Sequence, residues 1–420
     1  AGETLAALQG KLAGHRRTGA QWISTWVEHH ADDHELPRRF APWIEREQRL
    51  RETAPRKTSR EVVGQLMRLQ IQWLRRAGRE ASAMALMQRL LDLEQGRRAE
   101  LRELLVWLIE QEHWATVDDV RRRFRDRIQG SSKLLYLVAE ARQKQGDSQQ
   151  AEETARRAYR LRPGIAAQAD QRARLAMWLW NRGQIEWAIR EFDDVFEHSE
   201  PAFAQRYAEL LYDQRRYGRA AEVLETLIAD WQGGIGGRRG GTGHAQPLRA
   251  RAHYFRACHH RQQGELQKQK HQLDEALEDD PQELDTLIAR YRLPDPPEAY
   301  RRQTLAMIRR AAEQLEREIE QSPDAASAYN QYAWLIGNTE GDLAKALRYS
   351  RRSLKLRPDT AGYLDTLAHV HFARGEYAEA VEQQSRAARL QPHSKLITDQ
   401  LDVFRAAAAE HRKEQGHAEE

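Results

Sequence analysis

The chain has 420 residues, 31% charged and 40% hydrophobic side chains and eleven tryptophans. That regular supply of Leu, Ala and Trp excludes a disordered polymer. A formal net charge of +4 over this length demands neither nucleic acid nor a membrane surface as partner. The single cysteine, Cys258, excludes an intramolecular disulfide. No apolar run approaches the roughly 18 residues of a membrane span, and Ala1-Gly2-Glu3-Thr4-Leu5 has neither the basic nor the apolar region of a signal peptide. The chain reads as soluble and cytoplasmic. Its start without Met suggests processing, or a piece of something longer.

In chain order, residues 1–59 read as two or three helices of a degenerate unit. Segment 60–232 reads as consecutive helix–turn–helix units. Gly78 with Ala83, Met87 and Leu90 fits one turn and its second helix, and Trp114 with Val117 and Phe124 fits another. Leu135, Val138, Ala139, Gly146, Ala151, Ala155, Ala158 and Pro163 outline a complete unit. Leu175, Ala176, Leu179, Gly183, Ala188 and Phe192 outline the next, followed by Tyr207, Ala208, Leu211, Tyr217, Ala220, Leu224 and Leu227. Gly233 to Gly243 contains too much glycine for a helix and predicts a flexible insertion over 233–247. It is no phosphate cradle, since no Gly-Lys-Ser/Thr follows it. A weaker unit, 248–297, carries Ala257, Gly264, Leu273, Ala276 and Pro281. Pro294-Asp295-Pro296-Pro297 then starts a long helix over about 298–321, where the superhelical path is expected to change. Segment 298–393 holds the clearest units, and 394–420 is a polar-backed capping helix over 394–410 with a charged, disordered tail from Arg412.

The clearest units show the period. Gly341 and Gly375 stand 34 residues apart, as do Pro358 and Pro392. Glycine permits the sharp turn between two helices, small Ala lets the second helix come close to the first, and Pro ends it. Such a unit cannot bury its apolar face alone and must stack. In the last unit Leu364, Leu367, Ala368, His371, Gly375, Ala380, Ala387 and Pro392 resemble the tetratricopeptide repeat family, including its bacterial members. His371 stands where the family usually has Tyr, and Gln384 where it usually has an aromatic. The resemblance covers most of residues 60–393. It implies an all-α fold, a right-handed α-solenoid of stacked helix–turn–helix repeats.

Several clusters carry residue types capable of chemistry. His29-His30-Ala31-Asp32-Asp33-His34 has metal-binding types, but adjacent residues of a helix point to different faces, so a polar helix end is expected. Cys258-His259-His260 is expected to face different ways for the same reason. Asp365 and His369 lie four apart and share a face, which favours ligand contact, whereas His371 falls on a packing position. Arg121-Arg122-Arg123-Phe124-Arg125-Asp126-Arg127 reads as a solvated basic face with acids on either side. No hydrolase, kinase, dinucleotide-binding or zinc-protease motif appears, so no enzyme, no catalytic or metal residue and no cofactor is expected.

The resemblance implies a concave groove lined by the first helix of each unit, where an extended peptide or a helix binds. By register its candidate residues are Lys133, Tyr136 and Glu140, then Met177 and Trp180, then Gln205, Glu209 and Tyr212, then Arg251 and Tyr254, then Asn330 and Trp334, and finally Asp365, His369 and Phe372. The Lys/Asn clamp by which some members hold a C-terminal carboxylate is not evident. The expected function is a non-enzymatic scaffold or adaptor for a protein or peptide partner, without nucleic acid or membrane. A homodimer through terminal repeats stays open. Two alternatives are the regulatory or sensor part of a larger multidomain enzyme and a nucleic-acid-binding helical repeat protein.

Overall fold

The computed structural model describes residues 60–93, 96–161, 168–233 and 242–418, with isolated positions between 42 and 53. The cluster at 29–34 and the glycine run at 234–241 lie outside the described residues. The described residues form helices and no strand, an all-α solenoid of stacked hairpins. They divide into two compact units, Ala1–Arg162 and Pro163–Glu420. This division falls inside the segment 60–232 that the periodicity groups together.

In the first unit α1 (Arg60–Arg76) packs on α2 (Glu80–Leu93). There follow α3 (Arg98–Glu110), α4 (Trp114–Arg123), the short α5 (Arg125–Gln129), α6 (Ser132–Lys144) and α7 (Ser148–Arg160). Helix α3 packs on both α4 and α6, and α6 pairs with α7. On α7, Ala151, Ala155 and Ala158 are at most 2% exposed, so the helix backbone comes close to α6 at the cost of no side-chain entropy. Gly146, at φ +86°, makes the turn. Its N–H donates to the Gln143 carbonyl (3.0 Å) and the Asp147 N–H to that of Arg142 (3.0 Å), which ties off two carbonyls at the end of α6. The Asp147 carboxylate then accepts from the Gln150 N–H (3.1 Å) and caps α7.

The second unit runs through α8 (Ala169–Asn181), α9 (Ile185–Asp193), α10 (Pro201–Asp213), α11 (Tyr217–Gly233), α12 (Thr242–Gln262), α13 (Leu266–Asp279) and α14 (Leu284–Tyr291). It continues with α15 (Glu298–Gln321), α16 (Ala326–Gly337), α17 (Leu343–Leu356), α18 (Ala361–Ala373), α19 (Tyr377–Leu390) and α20 (Lys395–Ala418). Every consecutive pair from α8 to α20 is in contact, as stacked hairpins require. Between α10 and α11 the turn residue is Arg215, held at φ +61° with the same two hydrogen bonds, to the Tyr212 (2.9 Å) and Leu211 (2.8 Å) carbonyls. Here tertiary contacts support a conformation that costs a non-glycine residue about 1 kcal/mol or more.

Two boundaries differ from the sequence reading. Thr242 to Pro247, expected within the flexible insertion, belong to the first turns of α12. Arg412 to Ala418, expected as disordered, continue α20, whose Ala, Glu, Lys, Arg and Gln residues are strong helix formers. Helix α20 closes the stack. Phe404 is 1% exposed, stacks on Phe372 (centroids 4.6 Å apart) and meets the His369 ring edge-on (5.1 Å).

The turn before α20 also reaches back to the start of the unit. The Gln214 Nε2 donates to the His393 carbonyl (3.0 Å), the Ser394 hydroxyl donates to Asp213, and Arg215 pairs with Asp399 (2.7 Å). The His393 ring occupies the space beside Gly183, where an added Cβ would lie 2.1 Å from it. Residues some 180 positions apart in sequence are thus joined, and α10 to α20 curve round a common interior.

This packing makes three substitutions informative. Phe404→Ala is expected to destabilise the protein by about 3–5 kcal/mol, read as a lower urea midpoint. Gly183→Ala is expected to unseat His393 and speed amide hydrogen exchange at residues 391–397. Arg215→Ala, removing a largely exposed pair, should cost under about 1 kcal/mol. Unchanged exchange in Gly183→Ala would show that the seat is not tight.

Candidate functional site

The interior of the second unit holds a cavity of about 730 Å³. Its wall comes from α10, α11, α12, α14, α16 and α18, and the 391–394 turn with α20 completes it. The volume lies within the range of pockets that hold a small molecule or a short chain segment.

One wall is aromatic. The hydroxyls of Tyr212 and Tyr254 are 2.9 Å apart, and Phe255 stacks on Tyr212 (4.8 Å) from behind. Arg251 lies 5.2 Å from the Tyr212 ring centroid, 5.0 Å from that of Tyr254 and 4.9 Å from that of Phe255. Its guanidinium pairs with Glu283 (2.8 Å) and Asp285 (2.6 Å), and it is held charged by those carboxylates against the cost of burial. Arg251 is therefore a strut between α12 and α14. It stands behind the cavity surface rather than in it.

A second part of the wall gathers four expected groove residues, Asn330, Trp334, Asp365 and His369. Trp334 Nε1 donates to Asp285 (2.8 Å), and the Trp334 ring meets His369 edge-on (4.9 Å). Burial, helped by the nearby Arg292 cation, pushes the His369 imidazole down to about 3, so the ring is neutral. Asp365 sits one helical turn away. Burial raises its carboxyl to about 6, against the opposing hydrogen bond from Gln384 Nε2 (2.6 Å). Gln384, the departure from the family's aromatic, thus acquires a role: it anchors Asp365 and also donates to the Ile397 carbonyl (3.0 Å) on α20. Asn330 lies beside them, its buried Oδ1 without a hydrogen-bond partner among the described residues.

The remaining candidates divide by position. Tyr212, Tyr254, Asn330, Trp334, Asp365 and His369 share the cavity. Phe372 is covered by Phe404 and Tyr377 instead. Met177 and Trp180 on α8, and Gln205 and Glu209 on α10, are placed outside the cavity wall, and Glu209 pairs with Arg206 (2.7 Å). In the first unit Tyr136 and Glu140 are 1% and 3% exposed, so both pack inside α6 rather than line a surface, and Lys133 is half-buried. Packing of α3 and α4 against α6 is the cause. Most of the cavity lining escaped the register argument, including three of its charged residues. Asp285 and Arg292 follow a turn that departs from the repeat spacing, and Asp213 meets Ser394 only through closure of the stack.

The other clusters resolve into structural pairs. His371 is buried, with Nδ1 2.6 Å from Glu376 Oε2, and His260 Nδ1 is 2.7 Å from Glu265. Cys258 lines the cavity, where burial raises its thiol to about 11. Arg121, Arg122 and Arg123 pair with Asp118, Asp119 and Asp92 respectively. Among the described residues no group of three His, Cys, Asp or Glu side chains could hold a metal ion, and no helix is long and apolar enough to cross a membrane.

Residues 132–165, which contain α6, the Gly146 turn and α7, match the family model for a tetratricopeptide repeat. No curated protein matches the chain. Among solved structures it is similar to a thermophilic tetratricopeptide-repeat protein of Thermus thermophilus, at 18% identity over 48% of this chain and 96% of that one, with a TM-score of 0.33. A tetratricopeptide repeat protein of Parabacteroides merdae aligns at 14% identity over 65% of this chain and 98% of that one, with a TM-score of 0.36. The TPR2AB domain of yeast Sti1, solved as a pHSP90 complex, aligns at 16% identity over 58% and 99%, with a TM-score of 0.23. Alignments this loose leave the repeat itself as the ground for classification. Residues 132–165 are thus similar to a tetratricopeptide repeat, and the 34-residue spacing of Gly341 and Gly375 and the positive-φ glycine turns recur outside that unit.

Proposed function

We propose that the protein is a non-enzymatic scaffold that holds a segment of a protein partner in the cavity of its second unit. The observation that carries this reading is the convergence of Tyr212, Tyr254, Asn330, Trp334, Asp365 and His369, from four different helices, on one cavity of about 730 Å³. Rigid aromatic side chains supply contact area at low entropic cost, and the polar groups between them set orientation. Neither Cys258 nor His369 supports a catalytic reading of the cavity. A thiol raised to about 11 is no nucleophile at neutral pH, and an imidazole lowered to about 3 does not exchange protons there. Three arginines of the densest cluster, Arg121, Arg122 and Arg123, are partnered by carboxylates within their own unit, which weakens a nucleic-acid reading.

Trp334→Ala tests this function. It removes the largest side chain of the wall while leaving the buried contacts of α16 that begin at Tyr329, Tyr332 and Ala333. Affinity capture from a lysate, with bound chains identified by mass spectrometry and their peptides re-assayed individually, should yield a partner peptide. Trp334→Ala should weaken that peptide by about tenfold or more. A partner whose affinity is unchanged in Trp334→Ala and Asn330→Ala binds elsewhere. Material released entirely by moderate salt from both forms would indicate nucleic acid.

A further inference from the structure

The chemistry of the cavity specifies what kind of segment it accepts, an inference that rests on the binding function just proposed. The lining contains five carboxylates, Asp213, Asp280, Glu283, Asp285 and Asp365, against two guanidinium groups, Arg261 and Arg292. Arg251, behind the wall, neutralises part of the Glu283 and Asp285 charge. Among the described residues Asp213, Asp280 and Asp365 pair with no cation: Asp213 accepts from the Ser394 hydroxyl and the Gln214 amide, Asp280 from the Gln282 backbone N–H and Asp365 from the Gln384 amide. Arg292 donates to the neutral Asn338 amide, outside the cavity. The cavity therefore carries net negative charge even with every nearby arginine counted.

A second, independent feature agrees. Asn330 Oδ1 is a buried acceptor in the same wall without a partner among the described residues. A buried acceptor left unpaired costs about 1–3 kcal/mol, and a donor from a ligand recovers it only if the Asn330 amide turns toward the cavity on binding. Ammonium and guanidinium groups are donor-only, several N–H bonds each. Aromatic faces at Tyr254 and Trp334 suit the same cations. Acceptors, aromatic faces and negative charge thus select one class.

We propose that the cavity of the second unit binds a short extended peptide segment bearing lysine or arginine, with the cationic side chain directed to Asp365 and Asn330. Binding then depends on pH. Gln384 on α19 is the group bonded to Asp365, and the other titratable or polar groups of the same lining include the neutral His369 on its own helix, Asn330 on α16, Ser394 and Gln400 beside α20, and Asp213, Asp280, Glu283, Asp285, Arg261 and Arg292. The carboxyl, raised to about 6 by burial, is ionised above that pH and protonated below it. Attraction for a cation is present at pH 7.5 and fades as pH falls through 6. Burial also raises Asp213 and Glu283, which act in the same direction.

Isothermal titration of the full chain with three hexapeptide pools, rich in Lys/Arg, in Asp/Glu and in Ser/Gln, at pH 7.5 and pH 5.0, tests this. Spermidine serves as a cation without a peptide backbone. The basic pool is expected to bind, about tenfold or more tighter at pH 7.5 than at pH 5.0. Asp365→Asn keeps an oxygen for the Gln384 amide and so keeps the wall in place. It is expected to lose most of that binding and its pH dependence while the protein melts no earlier than the parent. Spermidine binding as tightly as the basic pool would overturn the peptide assignment. Preference for the acidic or neutral pool, unaffected by Asp365→Asn, would overturn the cation assignment and leave the scaffold function standing. Binding of no pool at either pH would remove that function from the cavity altogether.

Discussion

Two amphipathic helices joined by a tight turn can bury only the surface between them, so each hairpin exposes an apolar face that the next must cover. In both units this requirement accounts for most of what is seen. It calls for small residues where helices approach, such as Ala151, Ala155 and Ala158 on α7 and Ala368 and Ala380 between α18 and α19. It also calls for a terminal helix that covers one face and leaves the other to water. Helix α20 does this with Phe404 inward and Val403 outward, 1% and 54% exposed.

Stacking alone would give an open spiral. In the second unit the stack is instead closed by polar contacts between its ends, where Asp213, Gln214 and Arg215 meet His393, Ser394 and Asp399. Of these contacts the Arg215–Asp399 pair is exposed and individually weak, whereas the two hydrogen bonds are part-buried. They act at residues already brought together by the curvature of the helices between them. Closure brings Asp213, Asp365, Ser394 and Ile397 onto the lining of one interior cavity. Burial within that space shifts Asp365, His369 and Cys258 away from their ordinary titration ranges, and it removes the last two from acid–base and nucleophilic work at neutral pH.

The arginine content, which looks on paper like an interaction surface, is largely consumed internally. Arg251 braces α12 against α14, Arg290 is buried against Asp274 (2.6 Å) and Thr304 (2.9 Å), and Arg172 is buried beside Glu191 with Asp194 3.4 Å away. Such pairs hold register between neighbouring hairpins more than they add net stability, because the desolvation of both charges offsets much of their attraction. What remains uncompensated in the cavity is acidic, the reverse of what a composition richer in Lys and Arg than in Asp and Glu suggests.

The residues by themselves determined the repeat: its 34-residue spacing, the glycine turns, the long helix after Pro297 and the shared face of Asp365 and His369. These are local, since turn geometry and helical periodicity act within one or two hairpins. The tertiary structure alone decided which groove candidates meet. Tyr136 and Glu140 occupy positions equivalent in register to residues that line the cavity, yet they are buried by neighbouring helices. Phe372 is covered by a helix the repeat pattern does not include. Gln384, a mismatch to the family pattern, proves to be the hydrogen-bond donor that seats Asp365. A repeat pattern specifies how each hairpin meets the next. The closure of α10 against the α19–α20 turn is the sum of many small rotations between hairpins, which no single residue pair encodes.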